Sequence, residues 1–271
     1  MNAALLDSFL KTAITATRLA GDIIIKNLGH LSAGDVQTKQ AFDFVTKVDR
    51  WSESVIMQTI REKFPHHRFL TEESLKQKET DDYRWIIDPL DGTTNYIHGY
   101  PVFSVSIALE YKREIIMGIV FDPFKDELFH ALKDKGTFLN NKSIHVSDVD
   151  SLSNSLVATG FPFRRKEMIG PYLKAFKGIF SLVSDIRRAG SAAIDLAYIA
   201  SGRVEGFFEL NLSPWDIAAG SLLITEAGGV ITDFGGGGEF LSTGNIVAGN
   251  SVIQPMILKM IKKVFGGIVE R

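Results

Sequence analysis

Two carboxylates three residues apart, Asp88 and Asp91, follow an apolar run and precede Gly92-Thr93-Thr94-Asn95. The run from Tyr83 to Ile87 reads as a buried strand. Pro89 has no N–H, so ladder pairing is expected to stop at the acids. Gly-Thr-Thr-Asn reads as a turn or helix start with free backbone N–H groups. Two acids therefore stand at the mouth of a strand beside a backbone site suited to an anion. Ionised side by side, they repel each other unless a counter-charge is present. Mg²⁺ supplies one: it prefers oxygen ligands, takes few carboxylates and completes its shell with water and phosphate oxygens. Helix-start N–H groups favour phosphate. The stretch suggests Mg²⁺ facing a phosphate ester. Taken alone, it fits an Asx-Pro turn with local hydrogen bonds equally well.

Other acids stand at element ends. Phe69-Leu70-Thr71 reads as a short strand running into Glu72-Glu73-Ser74. Val204 to Glu209 is a strand closed by an acid, and Pro214-Trp215-Asp216 opens a helix to Ala227 that Gly228-Gly229 stops. Thr46-Lys47-Val48-Asp49 opens a helix to about Phe64, with Asp49 as a first-turn acid favoured by the dipole. Strand ends and helix starts are where α/β sheets assemble sites.

The remaining elements must position these groups. Residues 3–28 have helical spacing, with Leu5, Phe9, Ala13, Ala20 and Ile24 on one stripe. Residues 29–45 read as a polar loop and 75–82 as a second one. Val102 to Leu109 alternates, with Phe103, Val105, Ile107 and Leu109 on one face. Strands are expected over 115–121 and 127–132, and over 137–146 with a turn at Asn140-Asn141. The second half alternates: strand 156–159, helix 166–183, strand 185–188, a small-residue helix from Gly190 to Ser201, strands 230–232 and 246–248, helix 251–264. Gly235–Gly238 reads as a flexible turn. This predicts an α/β chain: one domain over 1–271, with subdomains of about 1–150 and 151–271.

Composition narrows the function. The 271 residues are 45% hydrophobic, enough for a sizeable core. A net charge of −2 gives no basic footprint for nucleic acid. Without cysteine there are no disulfides, thiolate metal sites or thiol nucleophile. No run approaches the ~18 apolar residues of a membrane span. Leu5 to Leu28 is interrupted by charges, unlike a signal peptide. A soluble cytoplasmic protein is expected. A Walker P-loop is absent, the glycine runs do not fit a dinucleotide fingerprint, and D-x-x-D is not the D-x-D of haloacid-dehalogenase-type phosphatases.

The stretch Trp85 to Asn95 resembles the first signature of inositol monophosphatases. Trp215-Asp216-Ile217-Ala218-Ala219-Gly220, continuing to Gly229, resembles the second. Thr71-Glu72-Glu73-Ser74, Asp43-Phe44-Val45-Thr46, Asp122-Pro123, Ala158 to Pro162 and Gly190-Ser191-Ala192-Ala193 also fit, so the resemblance runs nearly end to end. It is nearest to the bacterial inositol-1-monophosphatase branch. Tyr96 stands where that family more often has Phe. The resemblance implies an α/β/α/β/α sandwich shared with fructose-1,6-bisphosphatases, usually a homodimer, inhibited by lithium. It implies that Glu72, Asp88, the carbonyl of Leu90, Asp91 and Asp216 hold two or three Mg²⁺ ions. The N–H groups of Gly92 and Thr93 would hold phosphate, and Asp91, Ser191, Ala192, Glu209 and Asp216 would contact a polyol. Glu72, Thr93 and Asp49 would position and deprotonate the attacking water. The implied activity is hydrolysis of inositol 1-phosphate. The same chemistry on fructose-1,6-bisphosphate, a nucleotide 3′-phosphate or histidinol phosphate is the nearest alternative. A scaffold or partner of RNA or transcription machinery is the non-enzymatic one, supported by Arg164-Arg165-Lys166 and Arg187-Arg188.

Asp91→Asn should abolish Mg²⁺-dependent turnover and leave the fold intact, as read by phosphate release beside circular dichroism. Full activity in that variant would refute the site.

Overall fold

The computed structural model describes residues 3–40, 43–73 and 81–266. Ser74 and most of the loop expected over 75–82 lie outside them. In chain order the first elements are α1 (Ala3–Asn27), β1 (Val36–Gln40), β2 (Asp43–Thr46), α2 (Lys47–Lys63), β3 (Arg68–Thr71), β4 (Tyr83–Asp91) and α3 (Thr93–Ile97). Then come β5 (Ser104–Tyr111), β6 (Glu114–Asp122), β7 (Glu127–Leu132), β8 (Thr137–Leu139), β9 (Lys142–Ile144) and β10 (Leu156–Thr159). The last are α4 (Ile169–Phe180), β11 (Asp185–Arg187), α5 (Ala192–Ala200), β12 (Gly206–Glu209), α6 (Pro214–Glu226), β13 (Val230–Thr232), α7 (Phe240–Thr243), β14 (Ile246–Gly249) and α8 (Ile253–Phe265).

Among the described residues, strands β3 to β9 form a seven-stranded sheet in chain order, antiparallel except for the β3–β4 pair. A five-stranded sheet runs β11-β10-β12-β14-β13. The alternation expected of β5 holds: Phe103, Val105, Ile107 and Leu109 face the core shared with α1 and α2. Ala108 joins the second core, with residues of α5, α6 and the smaller sheet. A third core lies between that sheet and helices α4 and α8. The layers are thus α/β/α/β/α, as expected from the resemblance. Helix α6 lies between the sheets, which is why every residue from Asp216 to Ile224 is buried. No described helix is long and apolar enough to cross a membrane.

Several expectations need correction. Residues 29–45 are not simply a loop: β1 and β2 form a hairpin, Val36 opposite Thr46. Its strands are mostly polar, so no apolar alternation marks them. Leu5, on the first turn of α1, is 36% exposed; the buried stripe starts at Phe9 and continues through Ala13, Ala16, Ala20 and Ile24. The helix expected over 166–183 is a short 3-10 turn followed by the twelve residues of α4. The short helix α7 follows the glycine turn and was not expected. Tyr96 uses its extra hydroxyl: it donates to the Ile24 carbonyl at 2.8 Å and ties α3 to α1.

Strand β6 lies hard against α6. A Cβ on Gly118 would lie 2.6 Å from the Ala219 carbonyl oxygen. Backbone cannot swing aside, so Gly118→Ala should destabilise the chain by about 1–3 kcal/mol. The urea midpoint should fall with little change in slope; an unchanged midpoint would refute the close approach.

Candidate metal and phosphate site

Asp88 and Asp91 stand three positions apart, so a regular strand would send their side chains to opposite faces. The structure resolves this with a bulge. Asp88 pairs with Ser106 and Asp91 with Ser104, so three steps on β4 match two on β5. The extra residue turns both acids toward the same face and absorbs Pro89, which has no N–H to give. Pairing therefore does not stop at Pro89 as expected; it resumes at Asp91. On that face Ser106 Oγ donates to the Trp215 carbonyl at 3.1 Å, and Ser104 Oγ lies 3.3 Å from Ser191 Oγ. Both acids thus look toward α5 and α6.

Helix α6 brings the third acid. Asp216 occupies its first turn, inside a capping box with Ser213. One carboxylate oxygen each from Asp88, Asp91 and Asp216 lie within 4.8 Å of one another. Each acid is anchored through one oxygen. Asp88 Oδ1 accepts from Leu90 N at 3.0 Å. Asp91 Oδ2 accepts from Ser191 Oγ at 2.6 Å and Ala193 N at 2.9 Å. Asp216 Oδ2 accepts from Ser213 N at 2.7 Å. The other oxygen of each remains available as a hard ligand.

Burial and mutual repulsion penalise these charges. Burial first, then the charges of Glu72, Asp91 and Asp216, hold Asp88 well above the usual carboxylate range. Burial pushes Asp91 up to about 6 against its bonds from Ser191 and Ala193. Burial and the Asp91 charge push Asp216 up to about 8. A divalent cation among them would reverse all three shifts. The donor set, all oxygen and rich in carboxylate, fits Mg²⁺.

These groups open on a cleft of about 350 Å³. Of the residues singled out from sequence, Glu72, Leu90, Gly92, Thr93, Ser191, Ala192 and Glu209 line it beside the three aspartates. Glu72 is not within the three-acid group. Its Oε1 instead lies 3.0 Å from Lys39 Nζ and 3.8 Å from Arg164 Nη2. Asp49 sits behind the cleft: Thr93 Oγ1 lies 2.9 Å from Asp49 Oδ1 and 3.0 Å from the Leu90 carbonyl. Asp49 Oδ2 accepts from Thr46 N at 2.9 Å, and burial lifts its carboxyl to about 6 despite these bonds. Glu209 is buried against Gly160, where any Cβ would overlap its carboxylate at 1.9 Å.

The two basic clusters split. Arg164 and Arg188 line the cleft, whereas Arg165 pairs with Glu167 and Arg187 with Asp185 at the surface. Sequence reasoning missed Lys39, Asn95 and Asp195. Asn95 Nδ2 donates to the carbonyls of Val102 and Ala189, at 2.7 and 2.9 Å, and so fastens the 189–190 turn beside α3. Asp195 had a signal: it is a lone acid in the small-residue run Ala192–Ala200. Lys39, in a polar hairpin, had none.

A sequence profile of the inositol monophosphatase family matches residues 5–265. The protein named Nus factor SuhB from Salmonella typhimurium is 47% identical over 253 residues, 93% of this chain and 95% of that one. The crystal structure of the extragenic suppressor protein suhB from Bartonella henselae superposes with a TM-score of 0.91 at 40% identity, covering 94% of this chain and 99% of that one. An inositol monophosphatase from Anabaena (Nostoc) gives a TM-score of 0.86 at 40% identity, covering 96% and 97%.

The raised carboxyls predict an inverted pH response without metal. Asp91 and Asp216 bind protons in the folded chain above the value of 3.8 at which they titrate when unfolded. That stabilisation is complete below the unfolded value and is lost as pH rises through about 6 and about 8. In chelator the melting midpoint should therefore fall from about pH 5 to about pH 8, and saturating Mg²⁺ should remove much of the fall. A midpoint that rises over this range in chelator would contradict the reading.

Proposed function

The chain belongs to the inositol monophosphatase family, and we propose that it is a Mg²⁺-dependent phosphomonoesterase acting on inositol 1-phosphate. The family fold supports a metal-dependent phosphatase. The observation that carries the reading is the group Asp88, Asp91 and Asp216, two buried and Asp91 half-buried, each with one oxygen anchored and one left over.

In this reading those three aspartates, the Leu90 carbonyl and Glu72 hold the metal. When bound, Mg²⁺ neutralises phosphoryl charge and makes water acidic. The N–H groups of Gly92 and Thr93 hold phosphate oxygens beside it. The Thr93 hydroxyl, 2.9 Å from Asp49, fixes the attacking water from behind, with Glu72 at its side. With its carboxyl lifted to about 6, Asp49 suits proton exchange close to neutral pH. Water attacks phosphorus, the ester P–O bond breaks, and the leaving oxygen takes up a proton. Positioning and electrostatics carry most of the catalysis. Asp91, Ser191, Ala192, Glu209 and Asp216 face the polyol. The same reading makes the chain a cytoplasmic homodimer inhibited by lithium.

A second role is supported by the name Nus factor, carried by a relative 47% identical: that of a partner of transcription machinery. Retention of purified RNA polymerase by immobilised Asp91→Asn protein would support it as separate from catalysis; no retention by that variant or by wild type would refute it.

The test is phosphate release from inositol 1-phosphate, fructose-1,6-bisphosphate, adenosine 3′,5′-bisphosphate and histidinol phosphate, with Mg²⁺, with chelator, and with Mg²⁺ plus Li⁺. The expected result is Mg²⁺-dependent release, fastest from inositol 1-phosphate and suppressed by Li⁺. Release unaffected by chelator would sink the mechanism. Glu209→Gln should raise KM for the polyol ester by roughly 10-fold; an unchanged substrate profile would count against that contact.

A further inference from the structure

The acidic wall of the cleft extends past the residues used so far. Asp195, in the first turn of α5, is only 4% exposed yet lines the cleft. Its backbone N–H donates to the Ser191 carbonyl. Among the described residues its carboxylate has no hydrogen bond and no ion pair within 4.0 Å. Glu209 lines the same wall, is 8% exposed, and is likewise without such a partner. Neighbours of Asp195 on α5, including Ile194, Leu196 and Ala197, are apolar and buried. A helix in that setting has no packing use for a carboxylate, and leaving one unpaired there is costly. Its charge is felt nearby: burial first, then the charge of Asp195, holds Glu209 well above the usual range. Arg188 on the same wall offsets part of this field without pairing with either acid.

We propose that Asp195 is a specificity-determining residue that, beside Glu209, accepts hydrogen bonds from hydroxyl groups of the leaving alcohol. This rests on the phosphomonoesterase reading above and narrows its substrate class. Carboxyl groups without protein partners await partners from the ligand, and in either protonation state they can accept from a hydroxyl. With Arg188 already supplying positive charge, neutral hydroxyls fit the wall better than a second cation. A site built to bond substrate hydroxyls discriminates against esters lacking them, because its buried acceptors would then stay unpaired. The class favoured is therefore a phosphate ester of a polyol with two or more free hydroxyls on the leaving side.

The experiment compares wild type, Asp195→Ala and Asp195→Asn on inositol 1-phosphate and on p-nitrophenyl phosphate, whose leaving group carries no hydroxyl. Melting temperature and Mg²⁺ titration are read for each. Asp195→Ala should lose about 10- to 100-fold in kcat/KM on inositol 1-phosphate, mostly through KM, and stay within about twofold on p-nitrophenyl phosphate. Asp195→Asn keeps one acceptor oxygen and should recover part of the loss. Parallel losses on both esters, or a shift in Mg²⁺ dependence that accounts for them, would overturn the proposal and leave the phosphatase reading standing. A wild type that hydrolyses p-nitrophenyl phosphate but no polyol ester would overturn the polyol reading and this proposal together. A wild type inactive on both with Mg²⁺ would remove the phosphatase reading itself.

Discussion

Three carboxylates, two buried and one half-buried, with oxygens inside 4.8 Å of one another, set the terms for everything around them. Left alone they repel, and burial multiplies the repulsion because little water screens it. The fold answers with directed donors. Leu90 N steadies Asp88, Ala193 N and the Ser191 hydroxyl steady Asp91, and Ser213 N steadies Asp216. Two of these donors belong to helix starts, whose N–H groups carry partial positive charge. The donors fix orientation without cancelling the field, since the carboxyls remain displaced upward. What is left over is a strong, oriented appetite for a small cation.

The layering follows from that need. A helix held between the two sheets delivers the third acid to the bulged end of β4. Helix α6 does so, with Gly118 letting β6 approach its backbone and Gly220 admitting Leu196 of α5. The bulge is equally necessary. In regular pairing, the three-position spacing would turn Asp88 and Asp91 to different cores. The aspartates, the Thr93–Asp49 pair and the Asp195–Glu209 wall are thus set on α2, α3, α5, α6, β4 and β12.

Much of this was legible from residues alone, because the signals were local. The alternation of β5, the apolar run of β4 and the Pro-opened α6 are patterns within one element. The family resemblance then joined β4 to α6 across the chain. What stayed hidden depended on partners elsewhere. Pro89 looked like a stop because the bulge exists only in register with β5. The β1–β2 hairpin is held by pairing between polar strands, which leaves no apolar period to read. Asp195 went unread although it is a lone acid in an apolar run, because only the folded chain sets it on the cleft wall beside Glu209.

Helix α6 lies far along the chain from β4, and that separation has a consequence during synthesis. A chain leaving the ribosome presents Asp88 and Asp91 long before Asp216 exists outside the exit tunnel. The larger sheet can therefore pair and bury its helix-facing side while carrying only part of the like charge. Contacts of such long sequence separation are slow to form, so the cation pocket is among the last features completed. A polypeptide released early, or cut before α6, would have much of its larger sheet and no place for the ion.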